Sequence, residues 1–142
     1  MFLGEYQHSL DAKGRLILPA KFRDQVADGA YVVKGLDGCL FVYTPEEFES
    51  VAQAAREATR RSERERQAAR SFFAGAAEVV PDKQGRIPIP QTLREYAGLE
   101  RDVTLAGVFS RIEIWDNHRW REREQLGAEA LVSGEDLPHF GV

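Results

Sequence analysis

The residues best equipped for chemistry fall in two short stretches. Asp11-Ala-Lys-Gly-Arg15 runs on into Leu16-Ile-Leu-Pro-Ala-Lys-Phe-Arg23, and Asp82-Lys-Gln-Gly-Arg86 runs on into Ile87-Pro-Ile-Pro-Gln-Thr-Leu-Arg94. Each sets a carboxylate, a lysine and an arginine around a glycine. Asp suits the first position of a tight turn and glycine supplies a positive φ, so each group reads as a turn. The carboxylate stabilises the turn and pairs with the arginine that follows it. The guanidinium offers a planar fork able to read guanine bidentately, worth about 1–3 kcal/mol of discrimination. A lysine ammonium is suited to phosphate. The chemistry on offer is recognition of an anionic polymer.

Covalent chemistry finds little support. No Ser or Cys lies in a nucleophile motif, and Gly35-Leu-Asp-Gly38 lacks the lysine and hydroxyl residue of a phosphate loop. Cys39 is the only cysteine and reads as a small apolar filler, with no partner for a disulfide. The three histidines, His8, His118 and His139, are scattered and form no zinc pattern with it. Neither a cofactor nor a small-molecule substrate is expected. No apolar run approaches the roughly 20 residues of a membrane span, and the N-terminus shows no export signal. A cytoplasmic protein is expected.

The two stretches are copies. Asp82 follows Asp11 by 71 positions and Arg94 follows Arg23 by the same 71, so no gap separates them. Apolar Leu16, Leu18 and Phe22 match Ile87, Ile89 and Leu93. Such a repeat sets the architecture before any local reading does. It also concentrates charge. Net charge is −4, yet the first stretch carries Lys13, Arg15, Lys21 and Arg23 against one acid. The second carries Lys83, Arg86 and Arg94 against one acid. A basic patch on an acidic body is a stronger pointer to nucleic acid than the total is against it.

The surrounding elements repeat as well. Glu5 to Leu10 reads as a strand, and the turn joins it to Arg15–Leu18 in a tight hairpin with Lys13 and Arg15 at its tip. Pro19 opens a short helix over 20–27. Ala30–Lys34 and Cys39–Tyr43 form a second hairpin. Thr44, Pro45 and Glu47 make a capping box for a helix, and the arginine-rich run from Arg56 to Arg70 is broken and re-capped at Ser62. The second half replays this order, with Gly107 placed opposite Gly35 and Trp120 opposite Phe48. The predicted division is repeat 1 over 5–47, a helical connector over 48–75, repeat 2 over 76–119, a C-terminal helix over 120–133 and a loose tail over 134–142. Neither half buries enough surface alone, so an α+β fold with one shared barrel and internal pseudo-twofold symmetry is expected.

The duplicated D-x-x-G-R followed by an apolar strand and Pro resembles the SpoVT-AbrB type of DNA-binding domain. The chain from Met1 to about Leu131 resembles the MraZ family, which carries two such domains. The resemblance implies a swapped-hairpin, double-ψ-type β-barrel with flanking helices, ring-shaped homo-oligomers and binding to short tandem repeats in double-stranded DNA. It implies nucleoid association and regulation, as a repressor, of the division and cell-wall gene cluster. It makes Arg15 and Arg86 the motif arginines, with Lys13 and Lys83 beside them. Gln84 stands where the first turn has Lys13, so the second tip is less basic. Lys21 extends the basic face, whereas Arg23 and Arg94, on the short helix rather than the tip, are structural or interfacial. An antitoxin-like protein-binding module is the rival reading, disfavoured by a tail of only about eight residues.

Overall fold

A computed structural model describes residues 1–141. Its strands are β1 (Phe2–Ser9), β2 (Arg15–Ile17), β3 (Ala30–Lys34), β4 (Leu40–Tyr43), β5 (Ala77–Val79), β6 (Arg86–Pro88), β7 (Asp102–Phe109) and β8 (Ile112–Asp116). The helices are α1 (Ala20–Arg23, extended by a 3-10 turn over Asp24–Val26), α2 (Pro45–Ala58), α3 (Glu63–Ala74), α4 (Gln91–Ala97) and α5 (Asn117–Ser133). The fold mixes α and β, with a six-stranded antiparallel sheet in the order β1-β7-β8-β4-β3-β5 and a separate ribbon of β2 and β6. The expected tail begins after α5; of it, residue 142 lies outside the described residues.

The pairing of strands corrects one expectation. β1 and β2 do not form a hairpin ladder, and neither do β5 and β6. β1 pairs with β7 along its full length, β5 pairs with β3, and β2 pairs with β6. Each strand next to a turn thus finds its partner in the other repeat. The reason is burial. β1 gains an eight-residue ladder with β7. Leu16 of β2 and Ile87 of β6 meet each other and are fully buried. What survives of each hairpin is its turn, closed by Asp11 N–H to Arg15 C=O and Asp82 N–H to Arg86 C=O, each 2.9 Å.

The later hairpins form as expected, β3 with β4 and β7 with β8, and β4 and β8 join the halves at the centre of the sheet. The match of Gly107 to Gly35 does not hold. Gly107 lies inside β7, opposite Ile112 and Gly4, whereas Gly35 lies in the connection between β3 and β4. Lys34 pairs with Leu40 and Gly107 with Ile112, so Gly107 occupies the place of Lys34. The extra residues of the second half enter ahead of β7. Backbone contact explains the glycine: a Cβ on Gly107 would stand 2.5 Å from Leu3 N.

Two apolar layers flank the sheet. One gathers the matched repeat positions Leu16, Leu18, Phe22, Ile87, Ile89 and Leu93, none more than 1% exposed. Phe2 and Tyr6 meet the Phe22 ring edge-on, both with centroids 5.3 Å away. The other layer holds Val33, Cys39, Phe41, Tyr43 and Trp115 under α2, α3 and the start of α5. Burial pushes the Cys39 thiol up to about 12, consistent with a filler. The caps read from sequence are in place: Thr44 Oγ1 accepts from Glu47 N–H and Ser62 Oγ from Glu65 N–H. α5 is capped as well, by an Asp116 side-chain oxygen that accepts from Arg119 N–H. Among the described residues no helix is long and apolar enough to cross a membrane.

Candidate nucleic-acid interface

Each turn is built by its aspartate. Asp11 Oδ1 accepts from the N–H of Lys13 and of Arg15, both at 2.9 Å, and Oδ2 accepts from Arg15 Nε at 2.8 Å. Asp82 repeats this with Gln84 N–H and Arg86 N–H at 2.9 Å and Arg86 Nε at 2.8 Å. These contacts favour the charged carboxylate. The Arg15 and Arg86 backbone N–H groups are the largest cause, and both carboxyls are held below the usual range. The same contacts aim the guanidinium groups. Nε is spent on the aspartate, and the Nη atoms of Arg15 have no protein hydrogen-bond partner among the described residues.

The ribbon then brings the two tips together. In the β2–β6 ladder Arg15 lies opposite Pro88 and Ile17 opposite Arg86. Side chains alternate across a strand, so Leu16 and Ile87 point into the core while Arg15, Ile17, Arg86 and Pro88 share the outer face. Arg15 and Arg86 are diagonal neighbours, which sets them about 7–8 Å apart. Asp11 Oδ2 also lies 3.9 Å from Arg86 Nη1, so one carboxylate faces both arginines. The side chains of Lys13 and Lys83 are exposed on the turns beside them.

The turn glycines are held by the opposite repeat. Gly14 and Gly85 have φ of +75° and +79°, a region costly for residues with a Cβ. Their carbonyls accept from Ile89 N–H at 2.9 Å and Leu18 N–H at 2.8 Å respectively. Arg94 lies over Gly14 and donates through Nη1 to Ile89 C=O; Arg23 lies over Gly85 and donates through Nε to Leu18 C=O at 2.8 Å. The expectation that Arg23 and Arg94 are structural agrees with these contacts. Each helix arginine bonds a carbonyl of its own repeat and packs over the other repeat's turn glycine, while the backbone bonds to the Gly14 and Gly85 carbonyls cross between the halves.

Lys21 is exposed on α1 and its carbonyl accepts from the Gln25 amide; among the described residues no hydrogen bond or ion pair joins it to either tip. Sequence reasoning missed Arg101. It lines a hollow with Asp11, Ala12, Gly14 and Arg94, next to the first tip, and its carbonyl accepts from Leu10 N–H at 2.8 Å. Arg101 falls in the extra residues ahead of β7, so the repeat offered no match for it. Arg119 was also missed. It donates to the carbonyls of Gly38 and Asp37 and thereby anchors α5 to the β3–β4 connection. Trp115 and Trp120 pack together with ring centroids 6.1 Å apart under α5, as core contacts.

Comparison with known proteins agrees with the duplicated architecture. The family model described as "MraZ protein, putative antitoxin-like" matches residues 1–71 and again 72–133. A protein of Acetivibrio thermocellus named transcriptional regulator MraZ is 51% identical over 145 residues, covering 100% of both chains. Others of that name from Lachnoclostridium phytofermentans and Micrococcus luteus are 51% and 49% identical, covering 100% and 97% of this chain and 99% and 98% of their own. Two tandem matches and full-length identity at this level place the chain in the MraZ family.

Proposed function

We propose that this chain is a transcription regulator that binds double-stranded DNA sequence-specifically through the β2–β6 ribbon, without enzymatic activity. The observation that carries this reading is the outer face of that ribbon, where Arg15 and Arg86 stand side by side, each oriented by an aspartate. A two-stranded ribbon fits the major groove of B-DNA. A separation of about 7–8 Å corresponds to about two base-pair steps of 3.4 Å. Lys13 and Lys83 at the turns meet phosphate and set the register. Lys21 extends the cationic flank. The interleaving of strands from the two halves supports a pseudo-twofold swapped-hairpin, double-ψ-type barrel, with repeats over 5–47 and 76–119, the connector over 48–75 and the C-terminal helix over 120–133.

One chain presents few cations and binds weakly. A ring of identical chains on tandem promoter repeats adds its contacts through effective concentration. The protein acts as a cytoplasmic, nucleoid-associated repressor of the division and cell-wall gene cluster. The relatives' shared name, transcriptional regulator, supports the regulatory reading. Mobility-shift assays with a tandem-repeat promoter fragment and a scrambled fragment, at two salt concentrations, test it. Specific retardation that weakens steeply with salt is expected. Equal retardation of both fragments overturns the reading.

A further inference from the structure

α5 is thinly supported beyond its first turns. It has 17 residues and buries none of them. Every residue from Arg121 to Glu129 is exposed. A helix of this length draws most of its stability from packing an apolar face, yet the contacts that hold this one, through Asn117, Arg119, Trp120 and Arg123, all lie in its N-terminal half. The internal repeat shows what is missing. α2 occupies the equivalent place after β4, and α3 folds back to cover it. Among the described residues no further helix follows α5.

The uncovered faces of α5 and α3 are complementary. Leu126, Gly127, Ala130 and Leu131 recur on one side of α5, flanked by Glu122 and Glu129 on one border and Glu124 on the other. Leu126 and Leu131 are 60% and 57% exposed. From Glu124 to Asp136 the chain has four acids and no base. The outer side of α3 carries Arg66, Ala69, Arg70, Phe73 and Ala74 around a hollow of about 590 Å³. From Arg56 to Arg70 there are six arginines and three glutamates. One surface is an apolar stripe bordered by acids; the other is an apolar hollow with Arg66 and Arg70 set among its residues.

We propose that the distal half of α5 docks on the outer face of α3 in a second copy of this chain. It supplies there in trans the helix-on-helix packing that α3 provides for α2 within one chain. The two surfaces differ, so the contact is head-to-tail and repeats around a ring if its rotation closes. The inference rests on the ring reading above and names the contact that builds it.

The test is mass by multi-angle light scattering on the full chain. Wild type should have a mass several times 16.0 kDa. Leu126→Asp with Leu131→Asp should fall to the monomer with an unchanged sheet signal by circular dichroism, since neither residue is buried. Glu124→Arg with Glu129→Arg should also dissociate, and adding Arg66→Glu with Arg70→Glu to that chain should restore the mass. Wild-type assembly that survives both pairs of substitutions overturns this contact while leaving the ring in place. A monomeric wild type overturns the contact and the ring together.

Discussion

Gly14→Ala tests whether the crossed turns are built as described. The Cβ introduces two costs. At φ +75° an alanine pays about 1–2 kcal/mol for the left-handed region. The new methyl also lands on the Arg94 guanidinium, which must then leave Ile89 C=O. Losing a charge-assisted hydrogen bond to a carbonyl costs about 1.5–3 kcal/mol, reduced because Arg94 is only half-buried. Together these give about 2–4 kcal/mol, or roughly 5–15 °C in melting temperature for a chain of this size. Urea and thermal unfolding followed by circular dichroism measure it. The double variant Gly14→Ala, Arg94→Ala separates the two costs, because removing the guanidinium removes the collision. It should be less destabilised than the two single variants added together, with a coupling of about 1 kcal/mol. Gly85→Ala with Arg23 should behave alike, since Arg23 covers Gly85. Strict additivity, or a Gly14→Ala variant that melts with wild type, refutes the packing of Arg94 over the Gly14 turn.

Three further outcomes follow from the same geometry. Asp11 and Asp82 have folded carboxyls below their ordinary value of 3.8, so they stabilise the fold above that value and the contribution is lost as pH falls through the lowered one. Asp11→Asn with Asp82→Asn should therefore narrow the gap to wild type below about pH 4, read from unfolding midpoints across an acid series. Lys13→Ala should reduce the slope of log affinity against log salt by about 0.9 for each engaged phosphate, with discrimination between promoter and scrambled DNA retained. Cys39, buried with its thiol at about 12, should resist a thiol reagent at pH 8 in the native state and react fully once unfolded.

Much of this was legible in the sequence because the repeat acts as its own alignment. Matching Leu16, Leu18 and Phe22 to Ile87, Ile89 and Leu93 identified six core positions, and the Asp-to-Arg turns were visible from residue types alone. The helix starts at Thr44 and Ser62 followed from caps, which are local chemistry. Strand partners were not legible. A turn between two β-rich runs reads as a hairpin, and only the long-range competition of β7 for β1, and of Ile87 for Leu16, rules it out. Register near Gly107 failed for a related reason: glycine there answers to the approaching backbone of Leu3, which no local pattern announces. The arginines divided along the same line. Arg15 and Arg86 were visible from the motif, whereas Arg101 and Arg119 act through neighbours that are distant in sequence.

The central claim is that the outward guanidinium groups of the paired turns read DNA, and Arg15→Ala tests it most directly. The measurement is fluorescence anisotropy with a tandem-repeat promoter fragment and a scrambled one, alongside mass and melting temperature. Loss of one bidentate contact of about 1–3 kcal/mol should lower specific affinity by roughly 5- to 150-fold and leave scrambled-DNA binding little changed. Arg86→Ala should weaken specific binding less, because uncharged Gln84 stands beside the second turn's glycine where the first turn has Lys13. Mass should be unchanged in both variants. An Arg15→Ala protein that is folded, correctly assembled and as selective for the promoter fragment as wild type contradicts the account.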